Sequence, residues 1–370
     1  MSTALPIHQG QDFYVPQFEV KLRNQTLAQP IVRDVLKASY KDSIKDIDSF
    51  EITINNWDAE TRDFKYADAS LFDPGNELEL LMGYYGSGEM RSMIKGQITS
   101  LRPNFPATGK PTLVISGLNL LHKFRNKQES HAYTELTDSQ VAKQIAGRLG
   151  VSIRTDSAAQ GNEETYKYLL QDNQYDIIYL MERAHRLGYD LFVEETSGQP
   201  RLYFGPSVNI QRTTYELEYG KSLIHFQPNL STANQVAKVT VRGWDEQRKA
   251  KIEATVARSQ IATKGVGQQG GQAQIDSSFA DREEVIANKP VATNEEAQTL
   301  ARETLERIAK DMIKGSGSTV GLPDLRAGSV LQLSGLGQRF SGRYFVTATT
   351  HTIGDTGYTT QFQCRREELS

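Results

Sequence analysis

Residues 342–367 read GRYFVTATTHTIGDTGYTTQFQCRRE, two runs of alternating polarity on either side of the turn GDTG at 354–357. Whether the loop is counted as two residues or four, an antiparallel hairpin here has one register. It pairs Ile353 with Tyr358, His351 with Thr360, Thr349 with Phe362 and Thr347 with Cys364. That register gathers Phe345, Ile353, Tyr358, Phe362 and Cys364 on one face, which predicts a buried side. Thr350, Thr352, Thr359, Gln361, Gln363 and Arg365 fall on the other, solvated or interfacial side. His351 and the single cysteine share the apolar face, but about 13 Å of ladder separates them, too far for a base to activate a nucleophile. The expectation is a buried thiol and a hydrogen-bonded core histidine in the closing hairpin of a β-domain.

Period-two alternation recurs through residues 13–120, in FEVKL (Phe18, Val20, Leu22), SFEITIN (Phe50, Ile52, Ile54) and NELELLM (Leu78, Leu80, Met82). Turn signals in FDPG, YYGSG and RPNFPATGKP separate these short strands, the pattern of a barrel or sandwich. After residue 130 the period changes. LTDSQVAKQIAGRLG starts at a cap on Thr137 or Asp138, carries Val141, Ile145 and Leu149 on one stripe and stops at Gly150. QYDIIYLMERAHRLGYDLFVEE gives a second amphipathic helix, with Ile177, Leu180, Met181, Ala184 and Leu187 on its stripe, that ends at Gly188 and leads into a strand. Residues 258–290, rich in Gly, Gln and Ser, read as a long flexible loop. Thr293 and Glu296 then form a capping box for a helix over 294–314. A short echo links the two ends of the chain. PGNELELLMG and AGSVLQLSG share a glycine followed at the same spacing by two leucines, at Gly75, Leu78, Leu80 and at Gly328, Leu331, Leu333.

At 370 residues the chain is longer than the roughly 150 typical of one domain, so two or three domains are expected. Lys plus Arg number 42 against 45 Asp plus Glu, so no global basic field exists to hold nucleic acid or an anionic bilayer. One cysteine excludes an intramolecular disulfide framework and a multi-cysteine zinc site. The start lacks the charged and apolar regions of a signal peptide, and no long apolar run predicts a membrane helix, so synthesis in the cytoplasm is expected.

Motifs of catalysis and cofactor binding fail on context. Gly265, Gly267 and Gly270 spell G-x-G-x-x-G, but neither a strand precedes them nor a helix follows. Lys314–Gly321, KGSGSTVG, lacks the G-K-[ST] ending of a phosphate loop and reads as a helix cap and turn. The histidines are scattered, and the acid pairs Glu163/Glu164, Glu194/Glu195, Glu283/Glu284 and Glu295/Glu296 read as solvated charge. Tyr175, Tyr179, His185 and Tyr189 read as the edge of a helix core. No catalytic, cofactor or metal residue is assigned, and the chain is not expected to be an enzyme.

The order of LFDPGNELELLMGYYG, IKGQITSLRPNFPATGKPTLVISGLNLLHKF, LTDSQVAKQIAGRLG, QYDIIYLMERAHRLGYDLFVEE and the last third of the chain resembles the phage late control D family of tail hubs. It is similar as well to the amino-terminal part of the VgrG spikes of type VI secretion. The resemblance covers nearly the whole chain except 258–290. It implies an α+β, predominantly antiparallel β fold of two tube-like β-barrels with an inserted small α/β unit. The barrels would occupy 1–125 and 206–370, and the insert 126–205. It implies a structural baseplate hub of a contractile tail or tail-like injection system: a homotrimer joining a hexameric inner tube and other baseplate proteins to the spike. Because the sequence ends at Ser370, the spike, with its OB-like domain, is expected to be a separate protein. Specific nucleic-acid binding and membrane insertion are not expected. The polar face and tail of the closing hairpin, Gln361, Gln363, Arg365 and Arg366, become candidate assembly contacts. The competing function is a cell-wall glycan hydrolase carried by such a particle, motivated by the association of such machines with envelope penetration and by the scattered acids.

Overall fold

The computed structural model describes residues 5–367 other than 8–14, 45, 87–89, 120–126, 157–162, 197–198, 207–213, 246–247, 262–276, 289–290 and 292. Its body is built from two sets of strands. The first set is β1 (Pro16–Leu22), β2 (Val35–Ser43), β3 (Ser49–Asn55), β4 (Glu77–Tyr84), β5 (Arg91–Asn104) and β6 (Thr112–Asn119). The second is β7 (Thr214–Glu218), β8 (Leu223–Leu230), β9 (Ile313–Val320), β10 (Val330–Ser334), β11 (Gly342–Gly354) and β12 (Gly357–Arg366). Sequence alternation accounts for them: in β3, Phe50, Ile52 and Ile54 are buried while Ser49, Glu51 and Thr53 between them are half-buried.

In space the first set runs β1-β4-β5-β6-β3-β2 and the second runs β7-β10-β11-β12-β9-β8, so both follow one order. Neighbours are antiparallel except β7 and β10, which are parallel. The repeat reaches single residues. Gly75 and Gly328 stand before β4 and β10 with φ of 95° and 85°, a region open to glycine. The Gly75 N–H donates to the Ile98 carbonyl at 2.8 Å and the Ile98 N–H to the Asn76 carbonyl at 2.9 Å. The Gly328 N–H donates to the Val346 carbonyl at 2.8 Å and the Val346 N–H to the Ser329 carbonyl at 2.9 Å. After Ile98 and Val346 comes a threonine in each set, Thr99 and Thr347, that bulges out of the ladder with β6 and β12. A second pair of bulges matches as well, at Leu36 in β2 and Ile224 in β8. The glycine-led echo in the sequence is the visible trace of this repeated unit.

The two units are joined. Lys37–Ser43 of β2 pairs with Ala348–Gly354 of β11, and with the short strands Leu5–Pro6 and Gln25–Thr26 the whole makes one 14-stranded sheet. Where two barrels are expected, then, one continuous sheet runs through both sets, and among the described residues neither set closes its ladder on itself. Each unit keeps its own core, and Ile353 and Tyr358 at the hairpin tip pack into the first.

The hairpin of β11 and β12 forms with the expected buried face. Ile353–Tyr358, His351–Thr360 and Thr349–Phe362 pair as the sequence predicts, but beyond them the bulge sets Val346, not Thr347, opposite Cys364. The displaced Thr347 carbonyl accepts the Ile44 N–H at 3.0 Å, so the extra residue serves the joint with the first unit.

Two smaller bodies are inserted. Between β6 and β7, helices α1 (Asp138–Arg148) and α2 (Asp176–Arg186) pack on the strands Ser152–Thr155, Asp190–Thr196 and Gln199–Gly205, beside the ribbon of Gln128–Tyr133 and Leu169–Tyr175. Thr137 caps α1 through a capping box with Gln140, and Gly150 and Gly188 follow the two helices at φ 67° and 64°. Between β8 and β9, the strands Lys238–Asp245, Ala250–Ala257 and Glu283–Ile286 lie under α3 (Asn294–Lys310) with a core of their own.

This second insert changes the reading of 206–370, which holds two bodies and not one barrel. Within 258–290, Phe279 is buried and Glu283–Ile286 pairs in parallel with Lys238–Val241; residues 262–276, with the three glycines at 265, 267 and 270, lie outside the described residues. α3 ends at Lys310, short of 314, because Met312 turns into the core of the second strand set. Lys314–Gly321 is mostly strand β9 instead of a cap and turn. Its glycines make room for rings: a Cβ on Gly315 would stand 2.7 Å from Cζ of Phe226, and one on Gly317 2.5 Å from Cζ of Phe362.

Candidate functional site: the outer face of the closing hairpin

β12 lies between β9 and β11, and β11 in turn pairs with β2, so outward residues form rungs across the sheet. Lys41, Thr350, Gln361, Ser318 and His225 stand side by side in one rung. Ala348, Gln363, Ser316 and Gln227 form the next. Most of these residues, Gln361 and Gln363 among them, line an open groove of about 230 Å³. The short hydroxyls and amides of this face can accept and donate without carrying charge, which suits contact with another protein surface.

The four candidate contacts split. Gln361 and Gln363 are exposed on this face. Arg365 bonds Glu367 at 2.7 Å and Asp190 at 3.3 Å and lies over the Phe345 ring. Arg366 is 2% exposed, donates to the Arg339 carbonyl and faces the Tyr344 ring. Both guanidinium groups hold the chain's own elements together, Arg365 tying β12 to the first insert.

Beneath the face lies a buried polar joint. His351 is fully buried: Nε2 sits 2.9 Å from the Leu325 carbonyl, and Nδ1 3.0 Å from the Tyr358 hydroxyl and 3.1 Å from that of Thr360. The carbonyl can only accept, so Nε2 carries the proton and Nδ1 accepts. Burial, reinforced by the nearby Arg326 charge, holds the ring well below the usual histidine pKa and hence neutral. Burial also pushes the Cys364 thiol up, which keeps it protonated and unreactive. The segment 321–329 threads the joint. Arg326 donates to the Met93 and Ser92 carbonyls of β5 at 3.0 Å each, and its guanidinium lies 4.6 Å from the Tyr40 ring centre. Asp42 accepts from the Ala327 and Thr349 N–H groups at 2.9 and 3.1 Å. Asp42 and Arg326, 284 residues apart, have no motif that a sequence reader could find.

Glu163 accepts from the Ser139 N–H at 2.9 Å, and Glu283 bonds Thr240 and pairs with Lys238 at 3.0 Å. Glu164 instead meets Glu296 in the first turn of α3, where the two inserts touch; partial burial and then this second carboxyl push it up to about 7. Among the described residues no helix is long and apolar enough to cross a membrane, and no three His, Cys, Asp or Glu gather as metal ligands.

Solved structures share this fold at low identity. The 43 kDa tail protein of prophage MuSo2 from Shewanella oneidensis is similar with a TM-score of 0.70 and 13% identity, over 95% of this chain and 98% of that one. A tail protein from Neisseria meningitidis follows at 0.68 and 12%, over 96% and 98%. An Escherichia coli type VI secretion component, described as structurally similar to the T4 tail proteins gp27 and gp5, reaches 0.59 and 11%, over 94% and 77%. No curated protein matches the sequence. The family model that matches is not late control D: it spans residues 14–355, nearly the whole chain, and so the chain belongs to the family described as the Alg8 N-terminal domain.

Proposed function

We propose that the chain is a structural hub at the base of a contractile tail or tail-like injection particle. One observation carries the reading: a single chain holds two six-stranded units in the same strand order, alike in strand direction at every neighbour pair except the first, β1–β4 against β7–β10. Three such chains around an axis would offer six similar units, which lets a threefold spike meet a sixfold inner tube without symmetry conflict. The tail proteins that share the fold support this setting. In this reading the chain is a homotrimer, the two units take tube-like barrel form within it, and the partners are the inner tube protein, other baseplate proteins and the spike. The polar groove at Gln361 and Gln363 is then a contact with a neighbouring protein of the particle. The chain acts through binding alone and resides in a virion tail or released particle.

Native mass measurement of the full chain, alone and with tube and spike proteins, tests the proposal. A trimer, and a ring in particle images that seeds tube growth, is expected. A chain that stays monomeric at every concentration and beside both partners would refute it.

A further inference from the structure

The joint between the two units has a counterpart that the chain leaves open. Within the chain, the edge strand β2 of the first unit lies against the stretch of β11 that follows the Thr347 bulge. By the repeat, β8 is the β2 of the second unit, and the stretch of β5 after the Thr99 bulge corresponds to that part of β11. Among the described residues β8 from His225 onward pairs only with β9, and β5 beyond Ile98 pairs only with β6. Thr99, Arg102, Pro103 and Asn104 are exposed, and Phe105, which falls where Ile353 is 6% exposed in the internal joint, is 57% exposed. Each edge is thus one half of a joint whose complete form is already present once in the molecule.

We infer that β8 of one copy docks along residues 100–105 of a second copy, the end of β5 and the residue after it, in the register of the internal joint. Carried over position by position, Ala348–Ser43, Thr350–Lys41 and Thr352–Ser39 become Ser100–Ser231, Arg102–Asn229 and Asn104–Gln227. His351–Tyr40 becomes Pro103 opposite Pro228, two residues with no N–H to give, so this rung lacks both donors. The contact between copies is therefore looser than the internal one and reversible, and the same prolines protect the open edges of the free chain from indiscriminate strand addition. Such head-to-tail contact uses two different surfaces and closes into a ring if its rotation closes. The inference rests on the hub reading and names the surface through which copies of this chain meet.

Cysteine pairing in the full-length chain tests it. Arg102 and Asn229 are exposed, and Cys364 is too buried to compete. Under mild oxidation a chain carrying Arg102→Cys and Asn229→Cys is expected to form linked copies up to the size of the native oligomer. The out-of-register pair Arg102→Cys with Gln227→Cys should link at least about tenfold more slowly, because disulfide geometry tolerates little displacement. Mixing the two single-cysteine chains should give one linked pair, which guards against a poorly folded double variant. A native oligomer in which 102 and 229 link no faster than the control overturns the inference while leaving the hub reading intact. A chain that stays monomeric and unlinked overturns both.

Discussion

Gly317 shows how much one missing methyl group decides. Its Cβ would meet the Phe362 ring at 2.5 Å and the backbone carbonyl of His225 at 2.8 Å, and the backbone cannot yield without opening β8 from β9. Gly317→Ala is expected to cost about 2–3 kcal/mol in denaturant unfolding; Phe362→Leu added to it should restore part of the loss, since the ring is the other obstacle. His351 makes a different demand. Its pKa in the folded chain is depressed, whereas the unfolded chain takes up a proton near the ordinary value of 6.5. Stability is therefore fully present above that value and falls as pH drops below it, by up to about 1.4 kcal/mol per pH unit until the folded value is reached. His351→Gln should lower stability at pH 8 by about 1–2 kcal/mol through lost hydrogen bonds, yet flatten the decline between pH 6.5 and 5 in thermal melts.

Among elements, the contact between the two inserts carries the opposite pH dependence. Glu164 has its pKa raised toward 7 beside Glu296 at the start of α3, so the folded chain holds a proton that the unfolded chain has released above its ordinary value of 4.5. The contribution of this contact falls as pH rises from 4.5 through 7. Water reaches the exposed side of Glu164 and screens the effect. Glu164→Gln is expected to raise the melting temperature at pH 8 by about 1–2 °C and to leave it nearly unchanged at pH 4.5, a difference that scanning calorimetry resolves. The caps of α1 and α3 were legible before any fold was known, because Thr137 with Gln140 and Thr293 with Glu296 satisfy backbone donors three residues away. The end of α3 was not legible: nothing local stops it at Lys310, and the pull on Met312 comes from the core of another body.

For the whole molecule, the repeated unit and its joints set what can be tested. If the outer face is a contact surface, Gln361→Arg with Gln363→Arg should leave the melting temperature within about 1–2 °C of the parent, as exposed substitutions do. The same variant should reduce co-assembly with the partner proteins by tenfold or more through unpaired charge, roughly 1.4 kcal/mol per factor of ten. Loss of assembly together with loss of folding would show instead that the face is needed within the chain. Period-two alternation, the helix stripes and the glycine echo were determined by sequence alone, since each depends on neighbours within a few residues. The hairpin register was determined as far as Thr349 and failed at Thr347, because a bulge is fixed by what lies across the sheet, here the Ile44 N–H. The fates of Arg365, Arg366, Asp42 and Arg326 were likewise beyond the sequence. A charged side chain reads as solvent-facing until a distant carboxylate, carbonyl or ring compensates its burial, and only the tertiary structure brings those partners to it.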